Sequence, residues 1–183
     1  MRRIQNFYNY SKLYEVSYLH SAAGLLHDIN TFNNPIDLRE IFDLNDFSKE
    51  NKEKINNFLK RNKEKFVSLY HGTSPKHNII EDGLLKTTNK TKKSFQSEVG
   101  YVYLSVYPSS AKTFGDLAYG ISNAVVYEIK VPIEFLKVDT DQLKNKRLYG
   151  SFKNIENTLA DSLLYGNGFR VKGNIPPYLI KKL

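Results

Sequence analysis

The residues with the most chemistry to offer lie between His71 and Arg170. Val67, Leu69 and His71 alternate along one face of an expected strand, so the imidazole stands at the strand's end on the inward side. Gly72 follows without a side chain, which lets a ligand approach the backbone, and Thr73, Ser74 and Pro75 lead into the next helix. Tyr101, Tyr103 and Ser105 share one face of a second strand, and Phe114 follows in a helix headed by Ser109, Ser110 and Ala111. Rings from a strand and from the helix after it can wall a slot for a flat heteroaromatic, while a serine hydroxyl bonds its amide. Each segment alone also suits ordinary packing: a satisfied histidine at a turn, and core rings in a chain with 13 Tyr and 11 Phe. Lys86, Lys90, Lys92 and Lys93 have no acid between them and suit either a solvated loop or one that touches phosphate.

Several chemistries are excluded by residues that are missing. With no Cys there is no disulfide, no thiol nucleophile and no thiolate metal site. His20, His27, His71 and His77 form no metal-ligand spacing, so no metal is expected. No GxSxG elbow supports a serine hydrolase, and no GxGxxG turn supports a doubly wound dinucleotide fold. No apolar run reaches the roughly 18 residues of a membrane helix, and the Met-Arg-Arg start leads into no leader; a cytoplasmic protein without a membrane partner is expected. The formal net charge is +8, and residues 67–183 hold 16 Lys and Arg against 10 Asp and Glu, which favours polyanionic partners.

The elements that must position these residues change character at Phe66. Before it, Tyr14, Tyr18, Ala22, Leu25 and Ile29 mark one face of a helix starting near Ser11; Asn34 and Pro35 signal the cap and first position of a second; Ser48 opens a third through Ile55, Phe58 and Leu59. After it, strands are expected at 66–71, 101–105, 124–131 and 168–171, with a weaker one at 135–138. Helices are expected at 75–82, 109–117 and 152–164. The expected organisation is a helical segment over residues 1–65 and an α+β domain with a bent, mixed sheet over 66–183.

Taken in order, the motifs resemble a known family. They are His71-Gly72-Thr73, then Ile79-Ile80-Glu81-Asp82-Gly83-Leu84, Val102-Tyr103-Leu104-Ser105 and Ala111-Lys112-Thr113-Phe114-Gly115, followed by Val125-Val126-Tyr127-Glu128-Ile129-Lys130-Val131-Pro132 and Val171-Lys172-Gly173-Asn174-Ile175-Pro176-Pro177-Tyr178-Leu179-Ile180. Residues 66–183 thereby resemble the diphtheria-toxin/PARP-like branch of the ADP-ribosyltransferase superfamily, a grouping that includes the tRNA 2′-phosphotransferases.

The resemblance implies a split β-sheet with NAD⁺, cofactor and co-substrate in one, held between its halves. It implies that His71 bonds the adenosine ribose, that the Gly72 backbone holds the nicotinamide carboxamide, and that Tyr103 lines the nicotinamide pocket. Phe114 would stack on the ring where the family usually has Tyr, and Ser110 would supply a hydroxyl to the carboxamide; Thr73, Ser105 and Arg170 complete the implied cofactor-binding set. The family commonly places a Glu at the head of the strand before Ile-Pro-Pro, to stabilise an oxocarbenium-like transition state. Here Asn167-Gly168-Phe169-Arg170 stands there instead. The acid expected in its place is Asp161, with Glu156 and Glu98 as alternatives, and His71, Tyr103 and Asp161 form the expected catalytic set. The implied activity is transfer of ADP-ribose to a protein or nucleic-acid acceptor. The alternatives are a silent module that binds NAD⁺, ADP-ribose or a partner, an RNA 2′-phosphotransferase-like enzyme, or a nucleic-acid-binding protein that uses the lysines.

Overall fold

The computed structural model describes residues 31–87, 97–149 and 155–183. The helix expected from Ser11, the lysines at 90, 92 and 93, and the first residues of the helix expected at 152–164 lie outside them.

The chain is extended at Ile36, where a helix from Pro35 was expected. Ile36 forms a parallel bridge with Val67, its N–H donating to the Phe66 carbonyl at 2.8 Å and its carbonyl accepting from Ser68 N–H at 3.0 Å. Those two groups of Phe66 and Ser68 would otherwise lie on a bare strand edge, so Ile36 is spent on the sheet and the helix starts later. That helix, α1 (Leu38–Ile41), is capped by Asp37 in place of Asn34. Helix α2 (Lys49–Arg61) begins as expected at Ser48, whose hydroxyl accepts Asn51 N–H, and buries Ile55 and Leu59 on one face.

From Phe66 the order is β1 (Phe66–Thr73), α3 (Ile79–Asp82), β2 (Tyr101–Ser105), α4 (Pro108–Tyr119), β3 (Val125–Pro132), β4 (Leu136–Lys137), α5 (Thr140–Tyr149), α6 (Leu159–Gly166), β5 (Gly168–Lys172) and β6 (Ile180–Lys182). All six strands belong to one sheet in the order β4-β5-β2-β1-β3-β6. Among the described residues every strand pair is antiparallel, which corrects the mixed sheet expected, and parallel pairing is confined to the Ile36 bridge. The α+β class stands.

The sheet is nearly divided in two. β1 and β3 pair over eight registered positions and β2 and β5 over five, but β1 and β2 share the single position Tyr70–Ser105. Within the β4-β5-β2 half, register separates the faces. Val102 lies opposite Val171 and Leu104 opposite Phe169, all buried, whereas Tyr103 lies opposite Arg170 and Tyr101 opposite Lys172 on the other side.

One apolar core joins the helical segment to the sheet. Leu38, Ile55 and Leu59 belong to the same buried cluster as Leu69, Ile129, Leu163 and Phe169. The change at residue 66 is therefore a change of secondary structure within shared packing. Burial at this scale stabilises by about 1.5–3 kcal/mol per fully buried large side chain.

Candidate functional site

The site forms where β1 and β2 part. Extending the Tyr70–Ser105 pair by two residues would set Gly72 against Tyr103, but the strands have diverged there. The His71 ring fills the gap, with Nδ1 2.9 Å from the Tyr103 carbonyl oxygen. A carbonyl only accepts, so Nδ1 carries the proton and Nε2 is left as the acceptor of the neutral ring. Burial lowers the imidazole's pKa below its ordinary value, with nearby His77 adding to that effect and the Tyr103 carbonyl opposing it. The ring is neutral at physiological pH.

A cleft of about 440 Å³ opens from this point. β1 contributes Tyr70, His71 and Gly72, β2 contributes Tyr101, Tyr103 and Ser105, and α4 brings Phe114 and Tyr119. Lys86 lines it too, and α5 with its cap adds Asp139, Asp141, Gln142 and Asn145. Aromatic walls with a few polar groups suit a ligand that has a flat ring and hydroxyls.

Tyr103 and Asp141 form the polar centre. The phenol donates to Asp141 Oδ2, and the Glu98 backbone N–H lies 2.7 Å from the phenol oxygen and 3.0 Å from the same Oδ2. Burial, reinforced by the Asp141 carboxylate, raises the phenol's pKa well above its usual range, so Tyr103 stays a donor. Behind it Arg170 lies buried, its guanidinium 4.1 Å from the Tyr101 ring centre, with Nη1 on the Glu98 carboxylate and 4.0 Å from Asp141. Arg170 Nε is buried and has no hydrogen-bond partner among the described residues.

The residues expected at the site divide into two groups. His71, Gly72, Tyr103, Ser105 and Phe114 line the cleft together. The Ser105 hydroxyl is already engaged, donating to the Asn167 carbonyl at 3.0 Å and accepting Tyr107 N–H at 3.1 Å. Thr73, Ser110 and Arg170 are not among the lining residues; Thr73 is buried, with its hydroxyl 3.2 Å from that of Tyr119.

Asp161 is corrected. It sits in the first turn of α6, buried, with Oδ1 2.8 Å from Lys52 Nζ and Oδ2 accepting from Glu156 N–H and the Thr158 hydroxyl. Thr158 caps that helix by accepting Asp161 N–H, so this carboxylate serves a helix start and ties α6 to α2. Glu156 is exposed and off the cleft, and Glu98 is engaged by Arg170.

The acids that do face the cleft, Asp139 and Asp141, escaped notice in the sequence. Their signal was the spacing Asp139-Thr140-Asp141-Gln142, a capping pattern in which Asp139 Oδ1 accepts Gln142 N–H at 3.0 Å. Burial pushes the Asp139 carboxyl up to about 6, with the charge of Asp141 adding and the Gln142 N–H opposing. Raised above its unfolded value of about 3.9, this acid adds stability below pH 4 that is lost as pH rises through 6. Asp139→Asn keeps the cap and removes the buried charge, so it should stabilise the fold at pH 8 by on the order of 3 kcal/mol and leave it unchanged at pH 4. Thermal melts at both pH values check this; an equal gap at the two refutes the shift.

No family model, curated protein or solved structure matches the chain. Among the described residues no group of three or more His, Cys, Asp or Glu could hold a metal ion, and no helix is long and apolar enough to cross a membrane.

Proposed function

We propose that the cleft takes NAD⁺ as co-substrate and that the chain is an ADP-ribosyltransferase acting on a protein or nucleic-acid acceptor. One observation carries this: neutral His71 and the Tyr103–Asp141 pair face a single cleft at the point where the two halves of the sheet separate. The order of motifs along the chain supports it as a resemblance, and the volume and aromatic walls suit a dinucleotide.

In the reaction, breaking the bond between C1′ and the nicotinamide nitrogen sends the electron pair to that nitrogen and leaves positive charge on the ribose, where the acceptor's lone pair closes and its proton departs. The chain's task is to hold the ribose and favour that charge. His71 Nε2 accepts a ribose hydroxyl. Asp141 supplies the fixed negative charge once expected of Asp161, oriented before the reaction by the Tyr103 hydroxyl and the Glu98 N–H. Phe114, partly exposed at the rim, offers a ring face to the nicotinamide.

Calorimetry with NAD⁺, combined with assays for nicotinamide release and for label transfer from NAD⁺ in cell extract, tests the proposal. Binding with release is expected, and His71→Ala should weaken binding about tenfold, the worth of one buried hydrogen bond. Heat without release would identify a silent binding module. Neither heat nor release would overturn the proposal.

A further inference from the structure

The two halves of the sheet meet at one ladder pair, and a side chain from the helical segment lies beside it. Arg39 is held by Asp37 through a fork: Nε lies 2.9 Å from Oδ1 and 3.1 Å from Oδ2, and Nη2 bonds Oδ2. From that seat Nη2 reaches the Tyr70 hydroxyl at 3.3 Å, and the guanidinium carbon stands 5.4 Å from the Tyr70 ring centre and 6.0 Å from that of Tyr107. Tyr70 belongs to β1 and lines the cleft. Tyr107 lies two residues beyond β2, at the cap of α4, and is tied back to that strand by its N–H on the Ser105 hydroxyl. One guanidinium therefore touches a residue from each half. The Ile36–Val67 bridge fixes the approach of α1, so Arg39 is anchored to β1 independently of Tyr70.

We infer that Arg39 is a positioning residue that sets the width of the cleft by clasping the two halves beside the Tyr70–Ser105 pair. His71 spans the gap on the other side of that pair, so the junction is braced from both sides. A planar guanidinium locked by a carboxylate resists rotation and can stack on two rings, which a lysine ammonium cannot do. The helical segment thus has a share in the site without touching a ligand. Arg39 and Asp37 remain partly exposed, so the ion pair itself contributes modestly to stability and its value lies in geometry.

The chain has no cysteine, so pairs of spin labels can be placed without background. Labels at Lys137→Cys on β4 and Lys181→Cys on β6 sit on the outer strands of the two halves, about 24 Å apart across five strand spacings. In this labelled parent a single narrow distance distribution is expected, and Arg39→Met should broaden or shift it by several Å. Tyr107→Leu, which leaves the Arg39–Asp37 pair intact, should do the same and serves if Arg39→Met fails to fold. Arg39→Lys should not restore the parent distribution. An unchanged distribution in the folded variants would overturn the inference.

A second readout rests on the NAD⁺ proposal: Arg39→Met should raise the Kd for NAD⁺ about fivefold while nicotinamide release at saturation changes less than twofold. A changed distribution in a protein that binds no NAD⁺ would leave the clasp standing and remove that proposal alone. An unchanged distribution with normal NAD⁺ binding would do the reverse.

Discussion

Asp141→Asn is expected to slow nicotinamide release about 100-fold or more while changing NAD⁺ affinity less than threefold. The substitution keeps size and shape and removes only the charge. An amide oxygen can still accept the Tyr103 hydroxyl and the Glu98 N–H, so the first turn of α5 should hold its place. What disappears is a fixed negative charge in the cleft, which in the proposed reaction is present before positive charge develops on the ribose. Removing one preorganised stabiliser of this kind costs about 3 kcal/mol of barrier, or 10²–10³ in rate. Single-turnover release of nicotinamide measures the effect directly. A rate within fivefold of the parent would take Asp141 out of the chemistry.

Gly72→Ala should be the most damaging single methyl in the described fold. A Cβ at Gly72 would stand 2.0 Å from the Ala111 carbonyl oxygen and 2.6 Å from its carbon, both backbone atoms of α4. The crowding is mutual, for a Cβ at Gly115 would meet the Gly72 carbonyl carbon at 2.7 Å. Helix and strand are in backbone contact, so no rotamer change relieves the clash and α4 would have to lift bodily. Overpacking of this sort costs about 3 kcal/mol, which for a chain of this size lowers Tm by about 10 °C. A melt within 2 °C of the parent would show that α4 shifts freely. The sequence suggested that the bare backbone at Gly72 admits a ligand. The structure shows that its missing side chain first admits a helix, and that helix carries Phe114 to the cleft.

Strands β1, β2, β3 and β5 were legible because alternating β-branched and aromatic residues, bounded by turn formers, leave few other conformations. Helix α2 was legible from its Ser48 cap and its buried Ile55 and Leu59. Helix α5 was hidden because Leu143 is the one fully buried large side chain among its described ones, which gives no apolar stripe to detect. With it went Asp139 and Asp141, whose capping spacing is readable only once a helix is suspected. β6 was missed because three residues after a proline pair carry almost no pattern. The partnership of Tyr103 with Asp141 spans 38 residues and depends on how far β1 and β2 diverge, which no local signal encodes. Asp161 misled for a related reason: an acid near the right place in the chain is turned toward Lys52 by the demands of a helix start.

The outer strands of the sheet bear on how the molecule meets its neighbours. β4 is two residues long and carries Lys137, while β6 is three residues long and carries Lys181 and Lys182. A rim so brief and so cationic offers little for another chain to zip onto, and a strand added there would bring its own lysines against these. A sheet with β-rich segments is thereby shielded at both margins from growing into a ribbon of copies.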